Sequence, residues 1–443
     1  MKLIVIGGVA AGMSAASKLK RLDPQAQVVV YEKGSFLSYG ACGLPYYVSG
    51  VNDDYKKMII RTQEDFEKAG ISTFTNHEVI KVDPQNKTIM VRDLISKSMF
   101  IDKYDKLMIS TGAHPIVPNF KGKDLSGVFV LKTLEDGIKL REAASKSEVR
   151  NVVIVGGGYI GIELAEAMVE LEKNVKVLEK SERILTSFDK EISEIAEKTL
   201  KNHEVELLLD EELEIIKGTE TVTGIKTSKG DYDADMVILS IGVKPSTDFL
   251  KGSGIDLAKN GAVIIDREMR TSVSDIYSAG DCAEVYHMVK EENSYIPLGT
   301  TANKCGKIVG NNLSGQHQKF IGALGSAAIK IMDMEMARTG IGESEAKAMK
   351  LDYDTVFVKD YNHPPYYPNR EALYIKLIYE KRTHRILGAQ IAGKQGAVLR
   401  VDMFAIAIQA KMTAEDIGMA DLCYAPPFSG VWDAVNIAAN AVK

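Results

Sequence analysis

Cys42 stands in the stretch Ser38-Tyr39-Gly40-Ala41-Cys42-Gly43-Leu44-Pro45-Tyr46-Tyr47, one sulfur set between two glycines. Gly40 and Gly43 let backbone and a bulky group come close. A helix beginning at Leu44 would place the sulfur near its N-terminus, where the thiolate is favoured over the thiol. The plainer alternative is a buried structural cysteine. With no second cysteine nearby, an oxidised Cys42 must take its partner from outside the chain: a mixed disulfide, a persulfide or a sulfenic acid oxygen. Cys282, Cys305 and Cys423 are scattered and read as structural. No Cys-x-x-Cys pair occurs, so neither a disulfide framework nor a metal-binding ribbon is expected.

Two glycine-rich units supply the setting. Lys2 to Ile6 reads as a buried parallel strand, followed by Gly7-Gly8-Val9-Ala10-Ala11-Gly12, an Ala-rich helix to about Leu22 and a strand from Val28 to Glu32. Such a turn brings backbone N–H groups to a pyrophosphate at the helix N-terminus, and Glu32 can bond ribose hydroxyls. Val9 replaces the usual middle glycine. The second unit is complete: strand Val152 to Val155, then Gly156-Gly157-Gly158-Tyr159-Ile160-Gly161, a helix to about Glu172 and strand Val175 to Glu179. Glu179 should accept from both adenosine ribose hydroxyls and repel a 2′-phosphate, favouring NADH over NADPH. Lys180 and Arg183 weaken that preference.

Strands Lys106 to Ser110 and Met236 to Ser240 each run into a glycine ending, Thr111-Gly112-Ala113 and Ile241-Gly242, as if one plan were used twice. Between the units, Thr62-Gln63-Glu64-Asp65 predicts a capping box on a helix that stops at Gly70, and Asp83-Pro84-Gln85-Asn86 predicts a hairpin turn. Asp281, just past a small-residue strand, suits a polyol chain or the N-cap of a helix over Cys282 to Val285. Beyond Phe320, Ala372 to Tyr379 and Ile386 to Ile391 read as alternating antiparallel strands, and two helices are expected to close the chain, the second opened by Thr413.

The 443 residues leave room for about three domains at ~150 residues each. With 45% hydrophobic and 26% charged residues the composition is that of a globular protein, and the net charge of −5 argues against a nucleic-acid partner. No apolar run is long enough for a bilayer, and the opening residues read as a core strand and not a cleaved signal, so a cytoplasmic protein without membrane contact is expected.

Assembled in this order, the motifs resemble the pyridine nucleotide–disulfide oxidoreductases, along the whole chain. The resemblance implies an α/β fold of two Rossmann-like domains plus an α+β dimerisation domain: FAD-binding residues 1–111 and 245–322, NAD(P)H-binding residues 112–244 and an interface domain over 323–443. It implies FAD on Gly7, Gly8, Ala10, Ala11, Gly12, Glu32, Thr111, Gly112 and Asp281. NADH, with NADPH possible, would lie on Gly156, Gly158, Tyr159, Ile160, Gly161, Glu179 and Gly242. Ser38 to Cys42 is similar to a single-cysteine S-F-x-x-C signature, with Tyr39 for Phe; together with Tyr424-Ala425-Pro426-Pro427 it looks most like the coenzyme A-disulfide reductases and their NADH oxidase and persulfide or polysulfide reductase kin.

That branch implies a homodimer in which electrons pass from NADH through flavin and Cys42 to a disulfide-type substrate, CoA disulfide or a CoA persulfide or polysulfide. Tyr424 and Tyr366, the latter ranked above Tyr367, would give protons to leaving thiolates from the opposing subunit. Ser14, Lys18, Arg21 and Ser38 match CoA-contacting positions, with Arg61 beside them; Ala41 stands where these reductases often have Asn. No rhodanese unit is expected after Lys443. The alternatives are an NADH oxidase cycling through a sulfenic acid and a flavin-binding redox sensor with little turnover; the absence of histidine from the first glycine turn speaks against a peroxidase more firmly than against an oxidase.

Overall fold

The structure, a computed structural model, describes residues 1–443. Two parallel five-stranded sheets are built on one plan. The first has the order Ile276–Ser278, Lys106–Ile109, Lys2–Ile6, Gln27–Tyr31, Ile71–Phe74. The second has the order Glu206–Leu209, Asn174–Glu179, Asn151–Val155, Met236–Leu239, Val128–Phe129. Both central strands are apolar runs of Val, Ile and Leu, because helices and loops cover parallel sheets on both faces. Each unit also carries a three-stranded antiparallel sheet, at His77–Lys103 and at Leu213–Asp233. The two chain crossings between the units pair as Ala113–Pro115 with Val243–Pro245.

The third sheet is antiparallel, in the order Ala327–Ile331, Met334–Gly340, Ile386–Gly393, Ala372–Glu380, Tyr353–Tyr361. The expected alternation fails there: every residue of Ile386–Gly393 is buried, because helix Ala397–Gln409 covers one face and the second unit the other. Three helices close the chain where two were expected, at Ala397–Gln409, Ala414–Gly418 and Ala434–Asn440. The capping boxes at Thr62 and Thr413 are present. No helix is long and apolar enough to cross a membrane.

Candidate active site

The Cys42 loop is stitched to the first glycine turn. Ser38, held at φ 47°, donates its N–H to the Gly8 carbonyl at 2.9 Å, and Gly40 N–H donates to Met58 O at 2.9 Å. One 3₁₀ turn, Ala41–Gly43, runs into the short helix Leu44–Ser49, whose Pro45 and left-handed Gly50 mark its two ends. Leu44, Tyr47 and Val48 are buried against helices Leu134–Ala144 and Tyr159–Glu170 of the second unit. The Arg141 guanidinium lies 4.5 Å from the Tyr47 ring centroid and donates to Asn52 O at 2.8 Å. The sulfur's position is therefore set by both dinucleotide units.

Cys42 is exposed, whereas Cys282 and Cys305 are fully buried core residues; Cys423 is exposed beside Tyr424. The expected thiolate preference is not met by the chain alone. Although the residue is open to solvent, the protein packed around it strips part of the water from the sulfur and so raises the thiol pKa; Glu163 raises it further, and Lys132 acts in the opposite direction. The short helix after Cys42 is too brief to outweigh these. A longer one also starts beside the sulfur: a Cβ on Gly299, first residue of the 15-residue helix Gly299–Leu313, would stand 4.0 Å from Cys42 Sγ. Sequence reading missed this helix start.

The two glycine turns match atom for atom. Added Cβ atoms would lie 2.2 Å from Ser110 O at Gly7 and 2.3 Å from Ser240 O at Gly156, and both glycines have positive φ. At Gly12 and Gly161 they would lie 2.0 Å from the Gly7 and Gly156 carbonyls. Val9 and Gly158 are the corresponding N-caps, with Ala10, Ala11, Tyr159 and Ile160 opening the helices. Glu32 accepts from Gly8 N–H at 2.6 Å and Gly34 N–H at 2.7 Å; Glu179 accepts from Gly157 N–H at 2.7 Å and Ser181 N–H at 2.8 Å. Burial pushes the Glu32 carboxyl up despite its backbone donors.

Each unit has features that fit a dinucleotide. Gly158 has open space where a Cβ would stand. Gly112, at φ 65°, has the same, and the adjoining Thr111 Oγ1 is buried with no hydrogen-bond partner. Gly242, at φ 115°, follows the corresponding strand of the second unit, and a Cβ there would stand 3.7 Å from Ile116 Cδ1. Asp281 caps no helix, since Asp281 and Cys282 lie in a turn that leads through the Ala283 bridge into strand Val285–His287; its carboxylate instead accepts from Lys132 Nζ at 2.7 Å, a partner that sequence reading did not name. The Thr133 capping box after Lys132 was the available signal.

Lys18 and Arg21 line a cavity of about 600 Å³ with Lys304, Lys307, Lys319, Asn311, Gln318 and Phe320, and no carboxylate enters it. Ser14 donates to Asn303 Oδ1 at 2.7 Å on the approach to it. Arg61 lies 4.2 Å from the Phe66 ring centroid and donates to Ser17 Oγ at 3.3 Å. Lys20 is spent locally on the Pro24 and Ala26 carbonyls. On the third sheet's loops, the exposed Tyr366 and Tyr424 hydroxyls share a hydrogen bond of 2.9 Å, while the Tyr367 ring packs on His363.

The family model described as pyridine nucleotide-disulphide oxidoreductase matches residues 1–305, and the model of that family's dimerisation domain matches residues 326–435. This chain belongs to the pyridine nucleotide-disulphide oxidoreductases. It accordingly uses FAD and NAD(P)H as its cofactors. An NAD(P)H coenzyme A polysulfide/persulfide reductase of Pyrococcus horikoshii is 40% identical, over 100% of this chain and 98% of that protein. Reduced Bacillus anthracis CoADR-RHD superposes with a TM-score of 0.97 at 32% identity, covering 100% of this chain and 80% of that one. The water-forming NADH oxidase of Lactobacillus brevis, bound to NADH, gives a TM-score of 0.96 at 34% identity, over 100% of this chain and 98% of that one.

Proposed function

We propose that this oxidoreductase uses NADH to reduce a coenzyme A disulfide, persulfide or polysulfide through Cys42. The observation that carries the reading is the relation between the sulfur and the cationic cavity. Helices Ala10–Leu22 and Gly299–Leu313 run side by side, with Ser14 against Asn303 and Lys18 against Gly310. The start of the second helix meets Cys42, and its Lys307 and Asn311 line the cavity. Eight to twelve helical residues span about 12–18 Å. That is the reach of a pantetheine arm between a thiol and a pyrophosphate. Five cations without a carboxylate suit the phosphates at its far end.

Bound FAD would supply the two-electron relay between NADH and sulfur. Gly7, Gly12, Glu32, Thr111, Gly112 and Asp281 would hold it, and Gly156, Gly158, Gly161, Glu179 and Gly242 the nicotinamide dinucleotide. The Cys42 thiolate attacks one sulfur of the substrate disulfide, forming a mixed disulfide and expelling one thiolate. The Tyr424 hydroxyl, hydrogen-bonded to Tyr366, gives that leaving sulfur its proton from the partner protomer. The exposed apolar residues Leu399, Met403 and Ile406 on one helix face, with Phe428, Val431 and Trp432, support a homodimer through the third domain.

NADH consumption under nitrogen with CoA disulfide or polysulfide tests the reading. Turnover with a CoA-linked acceptor supports it; turnover with air alone replaces it with the NADH oxidase. A yellow protein that NADH does not bleach would make it a sensor. Tyr424→Phe should lower disulfide turnover roughly tenfold or more while NADH still bleaches the flavin rapidly. An unchanged turnover removes the tyrosine's role.

A further inference from the structure

We infer that Arg400 is a positioning residue for the Tyr366–Tyr424 pair, because its one buried guanidinium grips the backbones of both tyrosine loops. The inference rests on the proposed proton donation by Tyr424. Arg400 sits on helix Ala397–Gln409 and is 7% exposed, among the buried Asp433, Ser429, Asn362 and His363. Its Nε and Nη2 donate to the Asp433 carboxylate at 2.8–3.1 Å. The same Nη2 donates to Phe428 O at 3.1 Å and faces Asn362 O at 3.4 Å; Nη1 donates to Gly396 O at 3.0 Å.

These carbonyls are not arbitrary. Asn362 lies four residues before Tyr366, and Phe428 lies four residues after Tyr424. The Tyr366 loop is closed at its base by Asn362 and Glu371, which exchange two hydrogen bonds, and by Arg370 donating to His363 O at 3.0 Å. The Tyr424 loop is closed by Ser429 Oγ donating to Asp433 Oδ2 at 2.8 Å. Arg400 is bonded to both loops, so it registers one against the other. The two phenol rings themselves are exposed, and their 2.9 Å hydroxyl contact depends on that backbone registration. A lysine keeps the charge yet lacks the planar fork needed to reach a carboxylate and two carbonyls at once.

The test is a double-mutant cycle on the flavin-loaded dimer, read as disulfide turnover and, separately, as the rate at which NADH bleaches the flavin. Arg400→Lys should lower kcat roughly ten- to a hundredfold, as misplacing a reacting group does. KM and the bleaching rate should hold. In a Tyr424→Phe background the same change should cost no more than about twofold, since the donor it positions is already gone. Equal losses in both backgrounds, slowed bleaching, or normal turnover of Arg400→Lys would each overturn the role. Normal turnover of Tyr424→Phe alone would instead overturn the donor reading, and this proposal with it. If Arg400→Lys does not fold, Asp433→Asn, which keeps an N-cap acceptor while loosening the fork, is put through the same cycle with the same expected outcomes.

Discussion

At the residue scale, reactivity turns on the charges around one sulfur. Glu163 is itself pushed up to about 7 by burial and by the neighbouring Glu166, so its charge, and its upward pressure on the Cys42 thiol, grow as pH rises through neutrality. Lys132 opposes it but is shared with Asp281. The sign follows directly. Neutralising Glu163 removes a repulsion felt only by the thiolate, so the thiolate forms at lower pH. Alkylation of Cys42 by iodoacetamide, followed by mass against pH, should therefore shift its midpoint to lower pH in Glu163→Gln. An unshifted or upward profile would show that Glu163 exerts no such repulsion on the Cys42 thiolate.

At the scale of elements, the site depends on how closely two helices run. Gly306 and Gly310, four apart on Gly299–Leu313, let that helix lie against Ala10–Leu22: added Cβ atoms would stand 2.3 Å from Ala11 O and 2.6 Å from Lys18 Cβ. Ala11 O is backbone and cannot swing aside. Gly306→Ala should force the pair apart at a cost of about 1–3 kcal/mol. The expected readouts are a lower Tm and weaker retention of flavin on gel filtration, both absent from Lys307→Ala on the exposed face of the same helix. The pattern Gly306-Lys307-Ile308-Val309-Gly310 was visible in the sequence. Nothing in it said which helix would be the neighbour.

At the scale of the whole molecule, the second unit is fastened to the third domain by charge as well as by apolar packing. Lys376, 1% exposed on strand Ala372–Glu380, bonds Glu191 at 2.7 Å and also Glu343, with Asp189 at 3.7 Å. Gln390 Nε2 donates to Asp189 at 2.8 Å from the same sheet. Burial and then the carboxylates act on this lysine in opposite directions, and the carboxylates prevail, holding its pKa up. Lys376→Met leaves three carboxylates facing one another. Glu191 and Glu343 keep part of their water, so the expected loss is about 2–3 kcal/mol, below the usual penalty for breaking a fully buried pair. It should appear as a lower Tm or an earlier, separate unfolding step. An unchanged melt would mean that apolar contacts such as Ile331 and Met336 with the second unit suffice.

Local pattern settled much of this protein. Apolar runs entering Gly7 and Gly156 dictated parallel strands and tight glycine turns, because only glycine fits where a Cβ would strike a neighbouring carbonyl. The isolation of Cys42 dictated that an oxidised sulfur must find its partner elsewhere, and Thr62 and Thr413 announced their helices through short-range hydrogen bonds. Burial and charge are properties of neighbours distant in sequence, so only the tertiary structure decided the rest. It raised the Cys42 thiol where a helix N-terminus had suggested the reverse, and it covered both faces of Ile386–Gly393. It gave Asp281 to Lys132 and not to a helix. It also gathered Lys18, Arg21, Lys304, Lys307 and Lys319, nearly three hundred residues apart in the chain, around one cavity.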